Sequence, residues 1–194
     1  MHREKRDVAH KILLAAVKVF DKYGLRKTTM RDIAESAGMS KSSLYYYFKS
    51  KRDILSSVVK QESLTLTRKL QHAIQQDISP QQKLREYVVT RMHLLFELSV
   101  YYASLSEAYL EQYSFIEQER EAFTAFEIDA VSKILSEGVL KGIFRGRDIL
   151  ATAKTIIIIM KALELRLVIS KSMDELDSTV DTMLEILFHG LETR

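Results

Sequence analysis

The chain has no cysteine among its 194 residues. Disulfides, thiolate metal sites and cysteine nucleophiles are therefore excluded, and a cytoplasmic setting, which needs no disulfides, is the expectation. Proline occurs once and glycine six times, so few positions can interrupt a helix. With Ala, Leu, Ile, Lys and Glu plentiful, this composition predicts an all-α fold. No long uncharged run is present. The most apolar stretch, TIIIIMKALELRLVI at 155–169, is cut by Lys161, Glu164 and Arg166, which is too short and too charged for a lipid span. It reads as a buried helix, and no membrane partner is expected. No charged-then-apolar leader opens the chain, so a secretory signal is not expected either.

What is present is a charge asymmetry. Residues 1–53 carry 13 Lys and Arg against 6 Asp and Glu, a net +7, whereas the remainder carries 16 against 20, a net −4. A basic first quarter points to nucleic acid or another anionic surface, although a well-solvated helical surface would also account for it.

Apolar periodicity divides the chain into helices. Ile12, Leu13, Ala16, Val17 and Phe20 predict a first helix near 7–23, with Gly24 just past its end. Thr29 with Asp32 forms a capping-box pattern, Ser40 can cap a helix over 41–47, and Ser50 with Asp53 gives a second box. Two short helices joined by a turn containing Gly38 make a helix-turn-helix pattern. A fourth helix is expected over 51–76, with Leu55, Val59, Leu66, Leu70 and Ile74 on one side. Ser79, Pro80 and Gln82 mark a restart. Breaks are expected near Ser99 and Ser114, then a long helix over 116–142 and further helices over 148–170 and 174–191, about nine in all.

The stretch KSSLYYYFKSK at 41–51 places three tyrosines in succession beside two serines. Helical neighbours point about 100° apart, so the three cannot enter one core. Leu44 and Phe48 share a face suited to packing on Phe20, Ile33, Ala34 and Ala37, which leaves Tyr45, Tyr46 and Tyr47 fanned out beside it. Ser40, Lys41, Ser42 and Ser43 occupy the helix start, where hydroxyls and an ammonium group suit phosphate oxygens or base edges. A solvated helix whose serines merely cap is the alternative. The tail residues Arg3, Lys5 and Arg6 could add phosphate contacts or form a solvated end.

The longer run TTMRDIAESAGMSKSSLYYYFKSKRDIL resembles the DNA-binding signature of the TetR (tetracycline-repressor-like) regulators. The likeness covers about residues 10–58 and rests on the Thr-Thr pair, Arg31, Ile33-Ala34, Ala37-Gly38, Ser40, Leu44-Tyr45, Phe48, Lys51 and Leu55. EGVLKGIFRGRDILATA is similar to the family's link between its seventh and eighth helices. The resemblance implies a three-helix DNA-binding domain over 1–50 and a helical effector-binding and dimerisation domain over 51–194. It also implies a homodimeric repressor on a near-palindromic duplex DNA operator. By position, Thr29 and Arg31 would open the second helix against the backbone or a base. Lys41, Ser42 and Ser43 would face the major groove, while Tyr45, Tyr46 and Lys51 would contact phosphates. Tyr47 stands where many relatives carry His; a phenol can donate to phosphate but gains no charge near neutrality.

In the remainder, Leu176, Val180, Met183, Leu184, Leu187, Phe188 and Leu191 make an apolar stripe on the last helix. With the all-round apolar helix that carries Ile157, it is expected to pair with a second copy as a four-helix bundle, as the resemblance implies; burial within one chain is the alternative. Met92, Phe96, Tyr102, Tyr109, Tyr113, Phe123, Phe126 and Met160 are candidates to line a pocket for a small, largely apolar effector. Arg91, His93 or Arg166 could anchor a polar end, though each is more simply a surface or paired residue. No cofactor is expected.

An enzyme is a poor fit. The five histidines are scattered, no HExxH, GxSxG, P-loop or GxGxxG occurs, and His93 with Glu97 lacks a third metal ligand. A helical module docking on a partner or membrane surface is the other alternative.

Overall fold

The structure is a computed structural model that describes residues 2–101, 113–146, 148–170 and 176–191. Among the described residues it contains nine helices and no β-strand, so the fold is all-α as expected. In chain order these are α1 (His2–Lys27), α2 (Met30–Ser36), α3 (Lys41–Tyr47), α4 (Lys51–Ile74) and α5 (Pro80–Tyr101), then α6 (Tyr113–Glu119), α7 (Glu121–Leu140), α8 (Ile149–Ser170) and α9 (Leu176–Leu191).

Local chemistry accounts for most of the boundaries. Thr29 Oγ1 accepts from Asp32 N at 3.2 Å while Asp32 Oδ2 accepts from Thr29 N at 2.8 Å, which closes the expected box at α2. Donation from Thr29 N, and from the Thr29 hydroxyl at 2.8 Å, holds the Asp32 carboxyl below its ordinary range. Ser79 and Gln82 exchange the same pair of bonds at the start of α5, at 3.3 and 3.2 Å. At α4 only half of the box forms as expected. Asp53 N donates to Ser50 Oγ at 3.1 Å, but the Asp53 carboxylate accepts from Lys49 N rather than from Ser50. Each such cap contributes about 1 kcal/mol.

Three boundaries differ from the sequence expectation. The first helix starts at His2 rather than near residue 7, and kinks at Gly24 (φ 73, ψ 155) before a last turn to Lys27. The helix expected over 116–142 is split at Arg120, with no Gly or Pro to announce the break. No break occurs at Ser99, since α5 runs on to Tyr101.

The packing divides the chain into two units. The first comprises Met1–Ser63 with Tyr101–Arg120, and the second Leu64–Val100 with Glu121–Arg194. The division falls inside α4, after Ser63. The reason is visible in the cores. Ile54, Leu55, Val58 and Val59 of α4 are buried with Ile12, Ala16 and Phe20 of α1, Ile33 of α2 and Leu44 of α3, and Phe115 and Ile116 of α6 join them. Leu66 and Leu70, farther along α4, are buried instead with α5, α7, α8 and α9 through Leu84, Val88, Val131, Ile157 and Leu184.

Candidate nucleic-acid interface

The first unit presents α2 and α3 as a helix-turn-helix. Gly38 takes φ +66 in the turn, a left-handed backbone that costs a residue with a side chain about 1–2 kcal/mol. The turn is closed by Gly38 N to Glu35 O at 3.0 Å and Met39 N to Ala34 O at 3.0 Å. Leu44 is fully buried and Phe48 half-buried against the same core, so α3 is fixed on one side. Its other side is free in a way that divides the tyrosine run. Tyr45 and Tyr46 are 46% and 71% exposed, whereas Tyr47 packs partly into the core and meets Tyr46 edge-on at 5.2 Å.

Cations gather on the open side. Lys41 Nζ stands 5.9 Å from the Tyr45 ring centre, and Lys5 Nζ stands 4.9 Å over the Tyr46 ring. Lys5 reaches this position because α1 is helical from its first turn. Ser40 Oγ accepts from Ser43 N at 3.1 Å and also meets the hydroxyls of Ser42 and Ser43 at 2.9 and 2.8 Å. All three serines and Lys41 remain exposed. Thr29 is exposed beside its capping partner, and exposed Arg31 pairs with Glu35 at 2.8 Å. A surface pair of that kind contributes little and is readily exchanged for a phosphate. The structure thus brings Thr29, Arg31, Ser40, Lys41, Ser42, Ser43, Tyr45 and Tyr46 to exposed positions on α2 and α3.

Lys51, expected to contact a phosphate, is engaged within the protein. Its ammonium donates to Leu25 O at 2.8 Å, Arg26 O at 3.1 Å and Thr28 O at 3.0 Å. All three N–H groups are spent on carbonyls at the end of α1, so Lys51 ties α1 to the start of α4.

In the second unit, Met92, Phe123 and Met160 are buried in one core, with Phe96 and Phe126 packed against it. Tyr113 belongs to the first unit, and Tyr102 and Tyr109 lie outside the described residues. The residues expected at a dimer interface differ in how far their own chain covers them. Ile157, Val180 and Leu184 are 2%, 1% and 2% exposed inside their own chain, and Met183, Leu187 and Phe188 are half-buried against the same core. The side chain of Leu176 lies outside the described ones. Among the described side chains, the large apolar ones left uncovered on α8 and α9 are Leu150, Ile158, Ile159 and Ile186, at 51%, 66%, 39% and 70% exposure. Ile159, Met183, Ile186 and Leu187 line an open groove there with Ser178 and Thr182. The stripe read from the sequence thus divides: Val180 and Leu184 are spent in the internal core, while Met183 and Leu187 reach the open groove.

Sequence reasoning also missed a buried ion cluster. Arg91, 1% exposed, donates through Nε to Glu127 Oε1 and through Nη2 to Glu164 Oε2 at 3.2 Å. The signal was available, since each of the three sits in the apolar row of its helix. Among the described residues no cluster of three His, Asp or Glu is arranged to hold a metal, and no helix is long and apolar enough to cross a membrane.

Residues 12–58 match the family described as "Bacterial regulatory proteins, tetR family", the segment that holds the helix-turn-helix. The chain is 31% identical to the HTH-type transcriptional repressor KstR2 of Mycolicibacterium smegmatis over 139 residues, 69% of this chain and 66% of that protein. The chain belongs to the tetR family. It is a DNA-binding transcription regulator rather than an enzyme. Against the Bacillus subtilis fatty acid metabolism regulator protein, the alignment runs over 194 residues, 99% of this chain and 100% of that one, at 24% identity. The solved FadR from Bacillus subtilis in complex with stearoyl-CoA has the same fold, with a TM-score of 0.76 over 93% of this chain and 98% of that one, again at 24% identity.

Proposed function

We propose that this tetR-family regulator is a repressor that binds a near-palindromic operator as a homodimer and is released by a small, largely apolar effector. The observation that carries the reading is the exposed edge of α3, where Tyr45 and Tyr46 stand beside Lys41 and Lys5 on a helix whose far side is locked into a three-helix core. A rigid cationic helix with hydroxyls at its tip suits a major groove, with phosphate contacts fixing its register. The uncovered isoleucines of α8 and α9 supply an apolar face for a second copy, and a twofold assembly carries the two heads that successive grooves about 34 Å apart call for. KstR2 is a repressor by name and FadR was solved with stearoyl-CoA, which supports repression and an apolar ligand for the helical second unit. An effector that prefers a dimer with its heads spaced wrongly weakens DNA binding, and DNA must weaken effector binding equally.

The experiment is a fluorescence anisotropy titration of the full chain on duplex DNA across a salt series. Affinity should fall with log salt at a slope of about −0.9 per contacted phosphate, and the Lys41→Ala, Tyr45→Phe double variant should bind more weakly. A salt-independent affinity, or one untouched by that double change, defeats the assignment of the head.

A further inference from the structure

The buried side of α2 is made by Met30, Ile33 and Ala34, which leaves Arg31 and Glu35, four residues apart, on the open side of the helix-turn-helix. Arg31 Nε donates to Glu35 Oε1 at 2.8 Å, with the two side chains 77% and 64% exposed. Neither Nη1 nor Nη2 of Arg31 makes a hydrogen bond among the described residues. Asp32, the other carboxylate beside Arg31, does not compete for the guanidinium, because its Oδ2 already accepts from Thr29 N and Thr29 Oγ1, both at 2.8 Å. Glu35 is itself fixed through its backbone, since its carbonyl accepts from Gly38 N in the turn.

Neither stability nor charge gives a reason for a carboxylate at this position. A pair with both partners so exposed contributes little to folding. On a surface that meets DNA, Glu35 adds a negative charge among phosphates and weakens the general attraction. What the pair does supply is orientation. A guanidinium is a planar fork that meets two acceptors either along its Nε edge or through its Nη1–Nη2 end. Glu35 occupies the first and fixes the plane, so the end-on fork is the one left for DNA. A side chain already held in its binding geometry also loses less freedom on association. In the major groove, guanine is the base that presents two adjacent acceptors, O6 and N7, to such a fork.

We infer that Glu35 is a positioning residue for sequence readout, holding Arg31 so that its Nη1–Nη2 fork meets a guanine edge in the operator. The inference rests on reading the first unit as the head that binds an operator. Two oxygens of one phosphate offer the same fork a similar pair of acceptors, and the test separates the two.

The test uses the full chain and two probes, a duplex that wild type enriches from a randomised library and a duplex of random sequence, titrated at one salt concentration. Arg31→Ala should lower the ratio of selected to random affinity about tenfold or more, as loss of a bidentate base contact does. Glu35→Ala should lower that ratio about fivefold, at the low end of the same range, while random-duplex affinity stays equal or tightens. Glu35→Gln keeps an acceptor for Nε without the charge, and should restore the ratio to near the wild-type value. The double variant Arg31→Ala, Glu35→Ala should match Arg31→Ala, since a residue that acts through Arg31 then has nothing to position. Sequences selected afresh by Arg31→Ala and by Glu35→Ala should lose a guanine at the same position.

A ratio unchanged in Glu35→Ala overturns the inference, and a raised one makes Glu35 a mask over Arg31. Additive losses in the double variant overturn it too. Equal losses on both duplexes, with the wild-type base preferences kept, assign the fork to a phosphate and overturn base readout. Loss of helical circular dichroism in both Glu35 variants makes the pair structural and has the same result. Failure of wild type to bind any duplex sinks the regulator reading itself, whereas any of the earlier outcomes with duplex binding intact sinks only the role given to Glu35.

Discussion

Lys51 and Lys5 are both cations of the first unit, yet their surroundings give them opposite roles, and salt separates the two. Lys51 spends its three donors on Leu25, Arg26 and Thr28 carbonyls, so Lys51→Met leaves those oxygens short of a donor. Loss of these charge-assisted bonds should cost about 1–2 kcal/mol, visible as a lower melting temperature. DNA affinity should weaken, but with an unchanged salt slope, because all three N–H groups of the ammonium are engaged within the protein. Lys5 stands over the Tyr46 ring with its ammonium exposed, and Lys5→Ala should leave the melting temperature alone while reducing the magnitude of the slope by about 0.9 for each phosphate it no longer neutralises. A reduced slope in Lys51→Met, or an unchanged one in Lys5→Ala, reverses the two roles. The sequence marked Lys51 as a phosphate ligand and left Lys5 between a phosphate contact and a solvated end, because charge and position are legible in it. Which neighbour an ammonium group reaches is not: the carbonyls that hold Lys51 come from a last turn beyond the Gly24 kink, where the pattern had already ended the helix.

At the scale of the element, caps were legible and breaks without punctuation were not. Thr29–Asp32 and Ser79–Gln82 announce α2 and α5 through residue types whose side chains satisfy free N–H groups. The split at Arg120 has no such marker, so a single helix over 116–142 was the natural expectation. The end of α7 shows what a small residue can do inside a helix. A Cβ at Gly138 would lie 2.0 Å from Phe144 Cδ2 and 2.8 Å from its Cγ. The ring is held there because Ile143 N and Phe144 N both donate to Gly138 O, at 2.9 and 3.1 Å, and because it stacks on Phe188 with centroids 6.4 Å apart. Gly138→Ala should therefore expel the ring and cost about 1–3 kcal/mol in denaturant unfolding. The cost should be non-additive with Phe144→Leu by about 1 kcal/mol, since a smaller side chain relieves the clash. Additive losses would mean that the ring does not pack on this glycine.

For the whole molecule, the deciding question is which apolar surface is closed by the chain itself. A stripe such as Val180, Met183, Leu184 and Leu187 reports that one side of a helix avoids water, and it reports this equally whether the cover is intramolecular or a second copy. Only the packed chain separates the two: Val180 and Leu184 are spent on the internal core, while Ile158, Ile159 and Ile186 are left in solvent. The buried charges are the converse case, legible as Arg91, Glu127 and Glu164 interrupting apolar rows, with their convergence visible only in three dimensions. Exposed isoleucines on two neighbouring helices are poor for solubility and good for association, where an interface of standard size removes about 800 Å² from each partner. Ile159→Glu with Ile186→Glu places two charges on that face without touching the internal core. Wild type should sediment at twice the chain mass, and the double variant at the chain mass with its helical circular dichroism retained. DNA binding then separates assembly from folding: a monomer carries one head, so its salt slope on duplex should be about half that of the dimer, since the slope counts phosphates contacted. A wild-type protein that sediments as a monomer, or a double variant that still dimerises, would move the twofold contact away from α8 and α9 and leave the single head to account for all of the affinity.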